Sequence, residues 1–434
     1  MSSVGRLDHT SGVKMRVLLS AYQCGPGLGS VSQIGWEWYS RLARRIPVTL
    51  VTHSRNQAAL EGAGAPLEDS RIVFVDTEWF AGPLYRFAKS MFPKSEHAVF
   101  LLSSVDFFVW DRQAFRLLRK LQRQGEAWTI IHAVTPVSPG AATSLHHLGI
   151  PLVVGPWNGG MPSPKNFREI MQQDSGWFYR LGRLGALADG LTGTTRRCAA
   201  ILSATRATDE TLSRTAREKS IRMLENGVDL GVFYPAEWPD PPSLSRPLEI
   251  VFVGRLIPCK GLPLLFDALS SLDGELPFRL TVVGDGPMRE EWERDGASRG
   301  LDGAVRFLGN RPLPEVAAAM RAAHVFCLPS VRESGGAVLL EAMACQRPVI
   351  AIAHGGPAEL VDSGVGVPVP ADGPAEVAST IADAFRDILR RPAVWKGRGE
   401  EGRRRAVSQY GWDAKIEQGL ALYRHVAGQE GKEP

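Results

Sequence analysis

The sequence predicts an α/β protein of two Rossmann-like domains that face each other across a cleft. Three observations carry this. Compact apolar runs alternate with helix-length stretches, the pattern of parallel sheets covered by helices on both faces. The alternation runs twice, interrupted by prolines at 235, 239, 241, 242 and 247, a spacing that suits neither a helix nor a central strand. The length of 434 residues, at roughly 150 per domain, points to about two or three domains. The boundaries read as a first domain over 14–234, a linker over 235–247 and a second domain over 248–410, with a closing helix and tail over 411–434 that returns to the first domain.

In chain order, residues 1–13 read as a loose tail. First-domain strands are expected at Met15–Ala21, Pro47–Thr52, Ile72–Val75, Trp128–His132, Pro151–Gly155 and Ala199–Ser203. Each is a short aliphatic run bounded by glycine, proline or polar residues. Beyond the linker, strands are expected at Leu248–Val253, Phe278–Val283, Val305–Leu308, His324–Leu328 and Pro348–Ile352. Charged amphipathic segments close the chain from about Ala371. Open parallel sheets bind ligands beyond the carboxyl ends of their strands, so the loops after these strands are where chemistry is expected.

Composition removes several function classes. Hydrophobic residues at 44% and charged residues at 22% exclude disordered, collagen-like and coiled-coil chains. Fifty Lys and Arg against 46 Asp and Glu leave +4, too even for a dedicated nucleic-acid binder but compatible with a small anionic substrate. The cysteines, at 24, 198, 259, 327 and 345, show no C-x-x-C spacing, which favours thiols in a cytoplasmic protein over a disulfide framework or zinc site. The amino terminus has no apolar signal-peptide core. The longest apolar run, Ala98–Trp110, is interrupted by Ser103, Ser104 and Asp106 and falls short of the ~18 residues that span a bilayer. G-x-S-x-G, H-E-x-x-H, EF-hand and D-x-D patterns are all missing, so neither a metal nor another cofactor is expected.

Five post-strand loops carry candidate chemistry. Gly25, Gly27 and Gly29 precede a helix, where backbone and helix terminus suit a close anion; the spacing is not the dinucleotide fingerprint, and a plain strand-to-helix turn fits equally well. Gly254-Arg255 and Lys260-Gly261 follow the first strand of the second half, placing two cations where a diphosphate would sit, or else on a solvated surface. Gly284-Asp-Gly-Pro287 reads as a tight turn. In the stretch Glu333-Ser334-Gly335-Gly336, through Glu341, backbone amides at a helix start suit phosphate and carboxylates suit sugar hydroxyls. Glu333 also fits a helix-dipole partner, whereas Glu341 among Val338, Leu339, Leu340, Ala342 and Met343 demands a specific partner. His132 with Thr135 fits a reaction centre or a structural histidine, and Trp157, Asn158 and Gly159 offer an aromatic face and an amide to a polyol.

The second half resembles the retaining glycosyltransferases of family 4, glycosyl transferases group 1, which have the GT-B fold. The resemblance rests on Gly254-Arg-Leu with Lys260-Gly261, Gly284-Asp-Gly-Pro287, the Glu333 and Glu341 pair spaced E-x7-E, Glu341-Ala-Met-Ala and Pro348-Val-Ile-Ala. The first half is similar to one bacterial branch, through Ser20-Ala-Tyr with the glycine loop, Ile34-Gly-Trp-Glu-Trp38, His132-x-x-Thr135 and Gly155-Pro-x-x-Gly-Gly160. The resemblance implies transfer of a sugar from a UDP- or GDP-sugar to an acceptor hydroxyl, with retention and without metal. It implies that Arg255 and Lys260 hold the diphosphate, Glu333 faces the donor sugar, Glu341 faces the ribose, and His132 lines the reaction centre. Two positions depart from the family pattern: Gly335 stands where Phe is frequent, and Gln346 where Gly is frequent.

The expected mechanism is a same-face substitution in which cations and amides stabilise the leaving diphosphate. The competing readings are an epimerase or hydrolase of the same fold, or a non-catalytic sugar-nucleotide binder. Release of a nucleoside diphosphate with a stable new glycoside separates the first reading from both. Trp79–Phe92 mixes aromatics with Arg86 and Lys89, which suits peripheral contact with the inner face of a membrane or an ordinary packed helix. The nine Lys and Arg against four Asp and Glu over 180–222 suit an anionic acceptor or a solvated face.

Overall fold

Burial on both faces explains why the strand runs are almost wholly apolar. Val17, Leu19 and Ala21 enter one core of the first sheet while Leu18 enters the core on the opposite face. The computed structural model describes residues 15–63, 69–91, 105–159, 164–173, 192–272 and 274–429. Gly160, Phe92, the first part of Ala98–Trp110 and residues 180–191 of the basic stretch lie outside them.

The first sheet consists of β1 (Val17–Ala21), β2 (Val48–His53), β3 (Arg71–Val75), β4 (Ile130–Thr135), β5 (Leu152–Trp157), β6 (Ala200–Ser203) and β7 (Ser220–Arg222). The second consists of β8 (Leu248–Val253), β9 (Phe278–Val283), β10 (Val305–Gly309), β11 (Val325–Leu328), β12 (Val349–Ile352) and β13 (Gly366–Val369). Their orders are β3-β2-β1-β4-β5-β6-β7 and β10-β9-β8-β11-β12-β13. The paired strands in both are parallel. Each sheet therefore reverses direction of growth beside its first strand, which sets a crevice at the carboxyl ends.

The strands read from sequence appear in the structure, and two edge strands are added. Ser220-Ile-Arg222 is half exposed, and Gly366-Val-Pro-Val369 carries a proline that only an edge tolerates, so neither shows the apolar signature of a central strand.

The linker is bound rather than loose. The buried guanidinium of Arg347 donates to the carbonyls of Ala236 and Glu237 at 3.1 and 2.8 Å, and the Trp238 indole donates to His324 O at 2.8 Å. The chain crosses back after helix Pro392–Arg405 and a π-turn at Ala406–Tyr410. There Val228 N donates to Tyr410 O at 2.9 Å and Trp412 N to Val228 O at 3.2 Å, so the two crossings are hydrogen-bonded to each other. The closing helix Trp412–Gln429 lies on the first domain, burying Ile416, Leu420 and Tyr423 in one cluster with Trp38 of helix Ser30–Leu42. Arg41 and Arg45 pair with Asp413, and Arg45 with Glu417, along its flank at 2.8 to 3.2 Å. Among the described residues no helix is long and apolar enough to cross a membrane. All five cysteines are buried and form no disulfide.

Candidate active site

Four loops at the carboxyl edge of the second sheet interlock. The loop after β8 packs against the one after β9, where a Cβ on Gly284 would collide with the Gly254 carbonyl and Leu256 N donates to Asp285 O at 2.9 Å. This close backbone approach is what Gly284-Asp-Gly provides. Val331 N donates to Cys259 O at 2.9 Å, joining the β11 loop to the same cluster. Gly356 N donates to Glu333 O at 3.0 Å, which adds the loop after β12.

Lys260 and Glu333 meet in this cluster as an ion pair, with both side chains largely enclosed. The second Glu333 oxygen accepts from Gly336 N at 3.3 Å, at the start of helix Ala337–Ala344. Arg255 is exposed on the β8 loop, and Ser334 is exposed beside Glu333. Glu341 lies farther along the helix. Its carboxylate has no hydrogen-bond partner among the described residues, and burial pushes its pKa up to about 7, although part of the residue still reaches solvent. A desolvated, unpartnered carboxylate on the site's own helix is poised for hydroxyl donors.

Gly335 has a structural reason. A Cβ there would collide with the Glu225 carboxylate and the Asn226 amide, both from the crossing segment after β7. Glu225 in turn accepts from the Asn158 amide. Asn158 therefore stands at the domain junction, while Gly159 is held within the first domain, its N and O bonded to the Thr208 hydroxyl at 3.1 and 3.0 Å. Across the same junction Arg206 N donates to Glu359 Oε1 at 2.9 Å. Gly27 and Gly29 sit in the exposed loop before helix Ser30–Leu42, with left-handed φ of 74° and 102°.

Three sequence expectations are corrected. His132 lies within β4, fully buried, because the strand runs on to Thr135. Its Nε2–H donates to Gly155 O at 2.7 Å, so Nδ1 accepts from the Tyr423 hydroxyl at 2.5 Å, and the Trp38 ring packs edge-on. Burial lowers its pKa to about 4 and keeps the ring neutral. No ring nitrogen is left to face a reacting sugar. Thr135 is also buried, its hydroxyl donating to Gln23 O at 2.9 Å and accepting from Gln23 N at 3.1 Å. Trp157 ends β5 inside the core, 2% exposed, and cannot offer its face to a polyol in the cleft.

Sequence reasoning missed a polar cluster at the carboxyl ends of β1 to β3. Tyr22 donates to Asp106 at 2.5 Å, Arg55 bridges Asp106 and Glu78 at 3.0 Å each, and His53 contacts Thr77 at 3.0 Å. Burial, reinforced by Arg55, lowers the His53 pKa to about 4. These residues are scattered through the sequence, and only their common position after three adjacent strands could have grouped them. Glu225-Asn226 and Gly355-Gly356 were also missed; a glycine pair after a strand was the available signal for the latter.

Two facing parallel α/β domains with interlocked loops at their carboxyl edges define the GT-B fold. HepE from Anabaena in complex with UDP superposes with a TM-score of 0.62 at 16% identity, over 94% of this chain and 98% of that one. A glycosyltransferase from Rickettsia africae gives 0.65 at 14% identity, over 96% and 100% of the two chains. Residues 247–387, within the second domain, match the family described as glycosyl transferases group 1. The D-inositol 3-phosphate glycosyltransferase of Kribbella flavida is 34% identical over 227 residues, 48% of this chain and 52% of that protein. Its counterpart from Frankia alni is 36% identical over 219 residues, 46% and 52% of the two chains. The match thus spans about half the length of these bacterial relatives.

Proposed function

We propose that the protein is a retaining glycosyltransferase that moves a hexose from a nucleoside diphosphate to an acceptor hydroxyl. The observation that carries this reading is the unpartnered carboxylate of Glu341 on the helix that follows the Lys260–Glu333 pair. That arrangement supplies an acceptor for ribose hydroxyls, a cation for the diphosphate and a carboxylate for the sugar on consecutive segments. The donor is a UDP- or GDP-sugar; UDP is the nucleotide in the HepE complex, a likeness of fold. The acceptor enters from the first domain, beside the Tyr22, Arg55 and Asp106 cluster.

The chemistry follows from these charges. The bond between the anomeric carbon and the diphosphate oxygen breaks, and negative charge grows on the leaving oxygen. Arg255, the backbone amides at the helix start and Lys260, once it leaves its pair with Glu333, stabilise it. The acceptor oxygen bonds to the same face of the anomeric carbon, and its proton passes to the departing phosphate. Metal independence belongs to this reading and rests on the missing D-x-D pair. Peripheral membrane contact rests on helix Glu78–Met91, where Trp79 and Phe87 are 65% and 57% exposed beside Arg86 and Lys89.

Lys260→Ala should raise the dissociation constant for UDP or GDP roughly 10- to 100-fold, the loss of a charge-assisted bond. Turnover should persist in EDTA and yield the retained anomer. Unchanged nucleotide binding by the variant would remove the site assignment, and activity restored only by Mn²⁺ or Mg²⁺ would remove the metal-independent mechanism.

A further inference from the structure

We infer that Glu225 is a further substrate-contacting residue: a carboxyl delivered by the first domain to the sugar end of the donor site, where its Oε2 accepts a hydroxyl of the transferred hexose. The inference rests on the glycosyltransferase reading and deepens it. Glu225 is 3% exposed on the segment that leaves β7 for the second domain. Its Oε1 is occupied, accepting from the Asn158 amide and from the Asn226 amide at 3.4 Å. Its Oε2 is buried and has no hydrogen-bond partner. Such an oxygen is costly unless something else completes it.

The obvious internal partner is spent elsewhere. Lys415, buried on the closing helix, donates to the Leu224 carbonyl and to the Asn226 carbonyl at 2.8 Å. It clamps the backbone on either side of Glu225 and so positions the carboxyl, acting on it only through its field. Glu225 Oε1 and the Asn226 amide lie against Gly335, the residue whose lack of a side chain leaves room for them. Two residues before Gly335 stands Glu333, close enough to raise the pKa of Glu225, in the same direction as burial.

The ligand chemistry follows. Two carboxyls flank one glycine at the mouth of the Ala337–Ala344 helix. Together they offer oxygens that accept from an uncharged group rich in hydroxyl donors. In a sugar nucleotide that group is the hexose. The departure at Gly335 and the presence of Glu225 are then one feature, because a larger side chain at 335 would push the carboxyl out.

The test is calorimetry and turnover on the full-length protein, with UDP and GDP as bare nucleotides and UDP-glucose and GDP-mannose as sugar nucleotides. Glu225→Gln should leave bare-nucleotide affinity within about twofold while the affinity added by the hexose, and kcat/KM, fall about tenfold or more. Gly335→Ala should give the same sugar-specific loss by displacing the carboxyl. Glu225→Asp, which keeps the carboxyl and withdraws it by one methylene, serves if the glutamine variant does not fold, with the same expectation. A variant that binds and turns over sugar nucleotides like the wild type overturns the inference, as does an equal loss on bare and sugar nucleotides, the mark of a purely structural strut. Failure of the wild type to bind any of the four probes overturns the glycosyltransferase reading itself, and this inference with it.

Discussion

Glu341 sets a pH dependence that is measurable on one residue. Its carboxyl is held up to about 7 by burial, against an ordinary 4.5. Between those values the folded protein keeps a proton that the unfolded chain has released. Its contribution to stability is therefore full below the unfolded pKa and is lost as pH rises through about 7. Hydroxyl donors require the ionised form, so nucleotide binding should expel a proton below pH 7 and tighten as pH rises. Calorimetry with UDP or GDP in buffers of different ionisation heat reads that proton. Glu341→Gln should abolish it and weaken bare-nucleotide binding about 10- to 100-fold. Glu333→Gln should hold or tighten bare-nucleotide binding, since it releases Lys260, and weaken only the sugar-dependent part. Gln346 makes a separate prediction. It adopts a left-handed φ of 62°, where a side chain costs roughly 1–2 kcal/mol and glycine's unfolded-state entropy returns part of that. Gln346→Gly should raise stability by about 0.5–1 kcal/mol in urea unfolding.

At the scale of single elements, strand length decided which residues reach the cleft. Read from the sequence, β4 and β5 end at His132 and Gly155. In the structure β4 and β5 run on to Thr135 and Trp157. That extension moves His132 and Trp157 from loops into the core. His132→Ala should therefore cost stability, about 3 kcal/mol or more, through a cavity and two stranded polar partners, Tyr423 Oη and Gly155 O. Turnover per folded molecule should stay within about threefold of wild type. Urea unfolding and active-site titration distinguish this from a catalytic histidine, which would lose turnover with stability intact. The second-domain loops were legible because Gly254, Lys260, Gly284 and Glu333 each follow a strand, and Glu341 lies on the helix that comes next, with no distant partner needed to place them.

Across the whole molecule, the closing helix belongs to the first domain in packing although it follows the second in sequence. Trp412, Ile416, Leu420, Tyr423 and Val426 are buried in the first-domain cluster. At about 1.5–3 kcal/mol for each buried large side chain, removing them exceeds what a marginally stable domain can lose. Deleting residues 412–434 should leave no soluble native protein, read by expression and circular dichroism. In a milder test, hydrogen exchange at β1 and β4 should accelerate in Tyr423→Ala, while the second sheet keeps its protection.

The sequence by itself determined the two-sheet architecture and the places of the post-strand loops in the second sheet, because these are local: apolar runs, turn residues and spacing along one segment. Only the tertiary structure decided that Lys260 pairs with Glu333, that His132 serves the core, and that Glu225 reaches Gly335 from the other domain. Those outcomes join residues far apart in the chain, 73 positions for Lys260 and Glu333 and 291 for His132 and Tyr423. Such contacts are fixed by where the two crossings place one domain against the other, and no local pattern encodes that placement.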